Sequence, residues 1–192
     1  YQGSLPPRSV VLTFDDGGYN FFAAAAPLLE EFGYPATVYL TTYHCVHQRP
    51  ILRLTLRYLL WRAGPRVLAA GLFRNQDDPL DLEDVGQREH LAAKLFEEAR
   101  TLSDDREGQQ AWLGRLAMRL GIDWDDFVRS RLFHLMTEAE VIDLARRGFD
   151  VQLHTHRHRT PREQSAFYDE VLENRRIIEQ LTGRPATHFC YP

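Results

Sequence analysis

Lysine is almost absent from this 192-residue sequence: Lys94 stands alone, and arginine supplies nearly all the positive charge. With a formal net charge of −4, the chain has no basic excess to set against nucleic-acid phosphates or an anionic membrane. Cysteine is scarce too. Cys45 and Cys190 lie far apart with no CxxC spacing, which fits neither a disulfide framework nor a zinc knuckle. No apolar stretch approaches the roughly 20 residues that span a bilayer. Residues 1–8 have no basic n-region and no apolar h-region, so they read as an extended lead-in to a first strand and not as a signal peptide. A cytoplasmic and a cell-envelope location both stay open. Internal repeats and low-complexity tracts are missing as well.

What is present is an ordinary globular composition, 44% hydrophobic and 26% charged, in a length that suits one sizeable core. The apolar run Val10-Val11-Leu12 predicts a strand over residues 9–14. Residues 23–32 predict a helix ending at Gly33, with Pro27 either kinking it or marking its real start. Residues 36–40, β-branched and aromatic, predict a buried strand, so the chain opens with a βαβ unit of a parallel sheet. Between about residues 51 and 147 the periodicity turns helical. Leu52, Leu56, Leu59 and Leu60 share one face before a Gly64-Pro65 break. A short helix is expected at 67–73, an acidic loop at 75–84, and helices at 88–102, 110–120 and 124–133. Thr137 and Glu140 form a capping-box pattern for a helix reaching Arg147. A strand at 149–153, a helix at 162–181 and a fourth strand at 187–191 complete the reading. The expected architecture is α/β, one domain over residues 1–192 with an all-helical insertion at about 46–136.

Two stretches carry chemistry. Asp15 and Asp16 close the first strand, where side chains of parallel α/β folds face the active-site crevice, and two adjacent carboxylates call for a counter-charge. His154, His156 and His158 follow directly on the strand at 149–153. An extended chain would put all three on one face, whereas a loop or helical turn groups residues four apart. Thr160-Pro161 favours a loop, hence His154 and His158, with His156 a neighbour. Two histidines and a carboxylate leave one position open on a tetrahedral ion, as in a catalytic zinc site.

Thr13-Phe14-Asp15-Asp16-Gly17 resembles the first motif of the polysaccharide deacetylase family (NodB homology, carbohydrate esterase family 4), and His154-Thr155-His156-Arg157-His158 resembles its second. Phe189-Cys190-Tyr191-Pro192 is similar to the start of a third, which borders the substrate groove. The resemblance spans the opening βαβ unit and everything after about Thr137. It implies a partial distorted (β/α) barrel with only about four of the family's strands. It also implies a longer parent protein, because the family's later motifs, with their acid histidine, would follow Pro192. It implies Asp15 as general base, Asp16, His154 and His158 as ligands of a divalent metal, Thr155 steadying the histidine loop, and Tyr191 and Pro192 at the substrate groove. Zinc is the first choice of metal, with cobalt, nickel and manganese acceptable to such a donor set. The implied reaction is removal of N-acetyl groups from a polysaccharide or glycan precursor. The alternatives are an amidase or cyclic-imide hydrolase on a non-sugar substrate, or an inactive glycan-binding fragment. In the third motif Cys190 stands where many members carry an arginine paired with the catalytic aspartate, so Asp15 is balanced differently here.

Overall fold

The computed structural model describes residues 6–73, 76–102 and 106–192. Asn75 of the expected acidic loop and the first five residues of the lead-in lie outside the described residues. The chain divides into two compact units, Tyr1–Gln48 with His134–Pro192, and Arg49–Phe133.

The first strand, β1, is Thr13–Asp16, so it starts later than the expected 9–14 and ends on the two acids. The ladder explains the shift: pairing with the next strand begins at Thr13↔Thr37 and runs to Asp16↔Leu40, while Val10 and Val11 are exposed. A π-helical turn, Phe21–Ala25, runs into α1, Ala26–Glu31. Pro27 sits in the first turn of α1, where its missing N–H costs nothing, and the wider turn before it closes through Ala26 N–H to the Phe21 carbonyl. β2 is Thr37–Leu40 and α2 is Tyr43–His47.

The second unit opens with α3, Leu52–Arg62, which buries Leu56, Leu59 and Leu60 completely. The helix expected at 67–73 is instead the start of a small antiparallel pair, β3 (Val67–Leu68) with β4 (Leu80–Asp81). Gln76 supplies the reason. Its carbonyl and side chain bind the N–H groups of Gly71 and Phe73 and the carbonyls of Ala69 and Asp78, groups a helix would have needed. The helices α4 (Val85–Arg100), α5 (Arg106–Arg119) and α6 (Trp124–Ser130) follow. Asp84 and Asp123 cap α4 and α6 by accepting N–H bonds from Gln87 and Asp126. Leucines 56, 59, 60, 91, 95, 113, 116 and 120 make this unit's own core.

Back in the first unit, Thr137 caps α7 (Glu138–Arg146) in a complete capping box with Glu140. Then come β5 (Asp150–Leu153) and α8 (Gln164–Thr182), which ends at Gly183 in a left-handed conformation. The sheet is parallel, in the order β1-β2-β5. Val38, Leu40, Val151 and Leu153 pack from it against Phe21, Met136, Leu144 and Ile178. The fourth strand shrinks to one parallel bridge, Leu153↔Phe189. Gln152 accounts for the shortening: its side-chain Oε1 accepts the N–H groups of Thr187 and His188, both at 2.8 Å, in place of ladder bonds. The fold is thus mixed α/β, built on a three-stranded parallel sheet with helices packed against it.

Candidate metal centre at the strand ends

Everything at this site belongs to the first unit. Gly17 makes the turn after β1: its φ is +81°, its N–H returns to the Asp15 carbonyl at 2.8 Å, and its carbonyl accepts the Met136 N–H. Asp16 is itself left-handed, at φ +68°. Along β1 burial alternates, with Asp15 exposed and Asp16 half-buried, and so the two carboxylates have different surroundings.

The histidine segment is a loop with two further left-handed residues, Thr155 at φ +63° and His158 at φ +53°. Such backbone is unfavourable for residues with a Cβ and persists only where neighbours hold it. Here four backbone N–H groups of the loop are tied to named acceptors. Asn174 Oδ1 accepts from His154 at 2.9 Å, and the Glu170 carbonyl accepts from His156 at 3.0 Å. The Glu170 carboxylate accepts from Arg157 at 2.7 Å, and Thr155 Oγ1 accepts from Arg159 at 3.1 Å. Glu170 also receives the guanidinium groups of Arg157 and Arg159, at 3.1 and 2.6 Å. Burial pushes the Glu170 carboxyl up, but the Arg157 N–H and the two guanidinium groups outweigh it and leave the group below its ordinary range.

With the loop so held, Asp16 Oδ1 lies 3.2 Å from His154 Nε2 and 3.0 Å from His158 Nε2. Side-chain exposure is 2% for His154, 46% for His158 and 41% for Asp16, so one side of the cluster is backed by protein and the other faces solvent. Hydrogen bonds from His154 and then His158 hold the Asp16 carboxyl well below the usual carboxylate range. Burial would lower the His154 imidazolium, yet Asp16 and the Cys190 carbonyl raise it overall.

The donor set fits a divalent cation. One oxygen and two nitrogens converge within 4.8 Å of one another, a spread that small side-chain rotations close to bonds of about 2.0–2.2 Å. His154 Nδ1 lies 3.0 Å from the Cys190 carbonyl, which can only accept. The ring therefore donates through Nδ1, and Nε2, once it gives up the proton it holds towards Asp16, offers its lone pair to an ion, the usual support for a metal-binding histidine.

Of the other expected residues, His156 turns away. It is 6% exposed, its Nδ1 lies 2.9 Å from Thr42 Oγ1, and its carbonyl accepts from Thr41 and Tyr43. Burial, and then Arg157, lower its pKa, as befits a structural tether. Thr155 is fully buried beneath the loop. Tyr191 is exposed and stacks on Phe167 at 6.0 Å with Phe189 edge-on at 4.8 Å, while Pro192 is exposed beside it. Glu170 and Asn174 are the residues that the sequence reading missed. Their one visible trace is a pair of polar residues on the stripe 170, 174, 177, 178 that α8 buries.

The polysaccharide deacetylase family profile matches residues 2–62 and 121–192, more than half of the chain. Two solved structures are similar, each aligned over 98% of this chain. One is the Streptococcus pyogenes deacetylase PplD in complex with acetate, at 13% identity, TM-score 0.48 and 48% of its own length. The other is the BpsB deacetylase domain from Bordetella bronchiseptica, at 18% identity, TM-score 0.46 and 56% of its length. The chain thus spans about half the length of these structures. No curated protein matches it.

Proposed function

We propose, on the premise that the chain belongs to the polysaccharide deacetylase family, that it hydrolyses N-acetyl groups on an N-acetylated polysaccharide or glycan precursor. The observation that carries this reading is the convergence of Asp16 Oδ1 on two histidine Nε2 atoms, with a second carboxylate, Asp15, left outside that cluster. Asp16, His154 and His158 would hold a divalent cation, with zinc as the first candidate. Such an ion, when bound, supplies Lewis acidity: it polarises an acetamide carbonyl and brings a water's pKa towards neutrality. Asp15 takes the proton from the attacking water, since Asp16 is committed to the histidines. His154 is kept in its ligating tautomer by the Cys190 carbonyl, and Thr155 closes the loop that presents His158. The reaction consumes water and an amide and releases acetate and an amine. Tyr191, exposed on an aromatic platform and flanked by Pro192, offers a flat apolar face to a sugar ring. Residues 63–120 fall between the two matched stretches, which supports an insertion into the family's core within the expected 46–136.

The test has two arms. Cobalt titration is expected to give one tight site in the wild type and none in His154→Ala or His158→Ala. Acetate release from chitin oligomers, poly-N-acetylglucosamine or peptidoglycan fragments is expected to vanish in Asp15→Asn while cobalt binding persists. Unchanged metal affinity in both histidine variants sinks the site. Turnover that survives Asp15→Asn sinks the base.

A further inference from the structure

Cys190 places a sulfur beside the carboxylate that the foregoing reading uses as base. Its backbone is pinned, with its N–H donating to the Leu153 carbonyl at 3.0 Å and its own carbonyl facing His154 Nδ1 at 3.0 Å. From that fixed point a carboxylate oxygen of Asp15, a ring nitrogen of His154 and Cys190 Sγ lie within 4.8 Å of one another. The thiol is partly accessible and Asp15 is exposed, so an ion can reach them from solvent. A second donor set therefore stands next to the first, and the two share His154.

The sharing has a consequence. His154 Nδ1 is taken by the Cys190 carbonyl, leaving Nε2 as the only nitrogen for either set. One ion can sit with Asp16 and His158, or with Asp15 and Cys190, but not one in each. The donor chemistries also differ. The first set offers nitrogen and oxygen alone and takes several divalent ions, whereas the second adds sulfur, which thiophilic ions select.

We propose that Asp15, His154 and Cys190 form an alternative seat for a thiophilic divalent cation, exclusive with the Asp16–His154–His158 seat, and that its occupation removes Asp15 from catalysis. This rests on the functional reading only for its last clause. Binding replaces the thiol S–H by a sulfur–metal bond, and the displaced proton passes to solvent. Burial, and then the Asp15 carboxylate, disfavour a bare thiolate at Cys190; that carboxylate becomes a co-ligand once a cation is present. The protein is thus inhibited by soft metals in a way that depends on Cys190.

Cadmium serves as the probe, because sulfur-to-cadmium charge transfer reports the bond directly in the ultraviolet, with no need for turnover. In the full chain the band is expected to saturate at one equivalent. It should vanish in Cys190→Ser, collapse in Asp15→Ala, and persist in His158→Ala and Cys45→Ala. A band that is absent in the wild type, that survives Cys190→Ser, or that disappears with His158→Ala overturns the proposal. Saturation at two equivalents overturns the exclusivity. A measurement needing no variant guards against misfolding: one equivalent of cadmium is expected to slow alkylation of Cys190 at least tenfold in the wild type, and an unchanged rate is a refutation. Cys45 stays silent in that assay, being fully buried with its thiol pushed up to about 12. Cobalt affinity that stays at the wild-type value in His158→Ala with Cys190→Ser would instead overturn the first seat, and leaves the cadmium result to be read separately.

Discussion

Gly17 shows how narrowly the site is built at the scale of one residue. A Cβ there would stand 2.3 Å from Leu40 Cδ1, in a core where Leu40 is fully buried, and the φ of +81° already disfavours any side chain. Gly17→Ala is expected to cost about 1–3 kcal/mol through strain and overpacking, read as a lower urea midpoint; an unchanged midpoint would contradict the geometry. Glu170 works through charge. Its carboxylate gathers one N–H and two guanidinium groups on either side of His158. Glu170→Gln keeps the shape and loses the charge, so metal affinity should fall roughly 10–100-fold, measured by isothermal titration. The folded pKa of Glu170 lies below its ordinary 4.5, so its contribution is present above that value and is lost as pH falls through the depressed folded value. Against the wild type, Glu170→Gln should therefore be less stable at neutral pH and lose less on acidification, in urea melts at the two conditions.

At the scale of elements, α8 joins the sheet to the histidine loop through Asn174. Its Oδ1 accepts from His154 N–H at the end of β5, and its Nδ2 donates to the Leu40 carbonyl of β2 and to Thr42 Oγ1. Asn174→Ala leaves a buried donor and a buried acceptor unpartnered, at about 1–3 kcal/mol each. A thermal melt should shift down clearly, with weaker cobalt binding; a melt that holds would mean that water replaces the amide. Elements also show where periodicity misleads. Residues 67–73 carry a helical pattern, yet one buried glutamine, Gln76, draws their backbone groups into a loop and a two-residue strand. Pro27 marks the start of α1 and leaves a π turn before it, because a proline N–H is dispensable only in a first turn.

At the scale of the molecule, two cores are built from separate residue sets, one around the parallel sheet and one from the leucines of the helical unit. Leu59→Ala, in the second core, is expected to cost about 2–5 kcal/mol. Calorimetry should show a destabilised transition while cobalt affinity stays at the wild-type value; a matching loss of affinity would mean that the cores are energetically coupled. No helix among the described residues is long and apolar enough to cross a membrane. The local pattern alone was enough to show a βαβ opening, parallel strands and a helical middle, since period-2 and period-3.6 burial are written in neighbouring residues. Residue type and spacing also singled out Asp15, Asp16, His154 and His158 as candidates, because they limit what a site can bind. Tertiary structure alone decided the rest. It parted the two carboxylates, turned His156 to the Thr42 side, brought Glu170 and Asn174 under a loop 11 to 20 residues before them, and set Cys190 beside Asp15. Each of those is a long-range contact made by a polar side chain, and hydrophobic periodicity carries no record of polar partners.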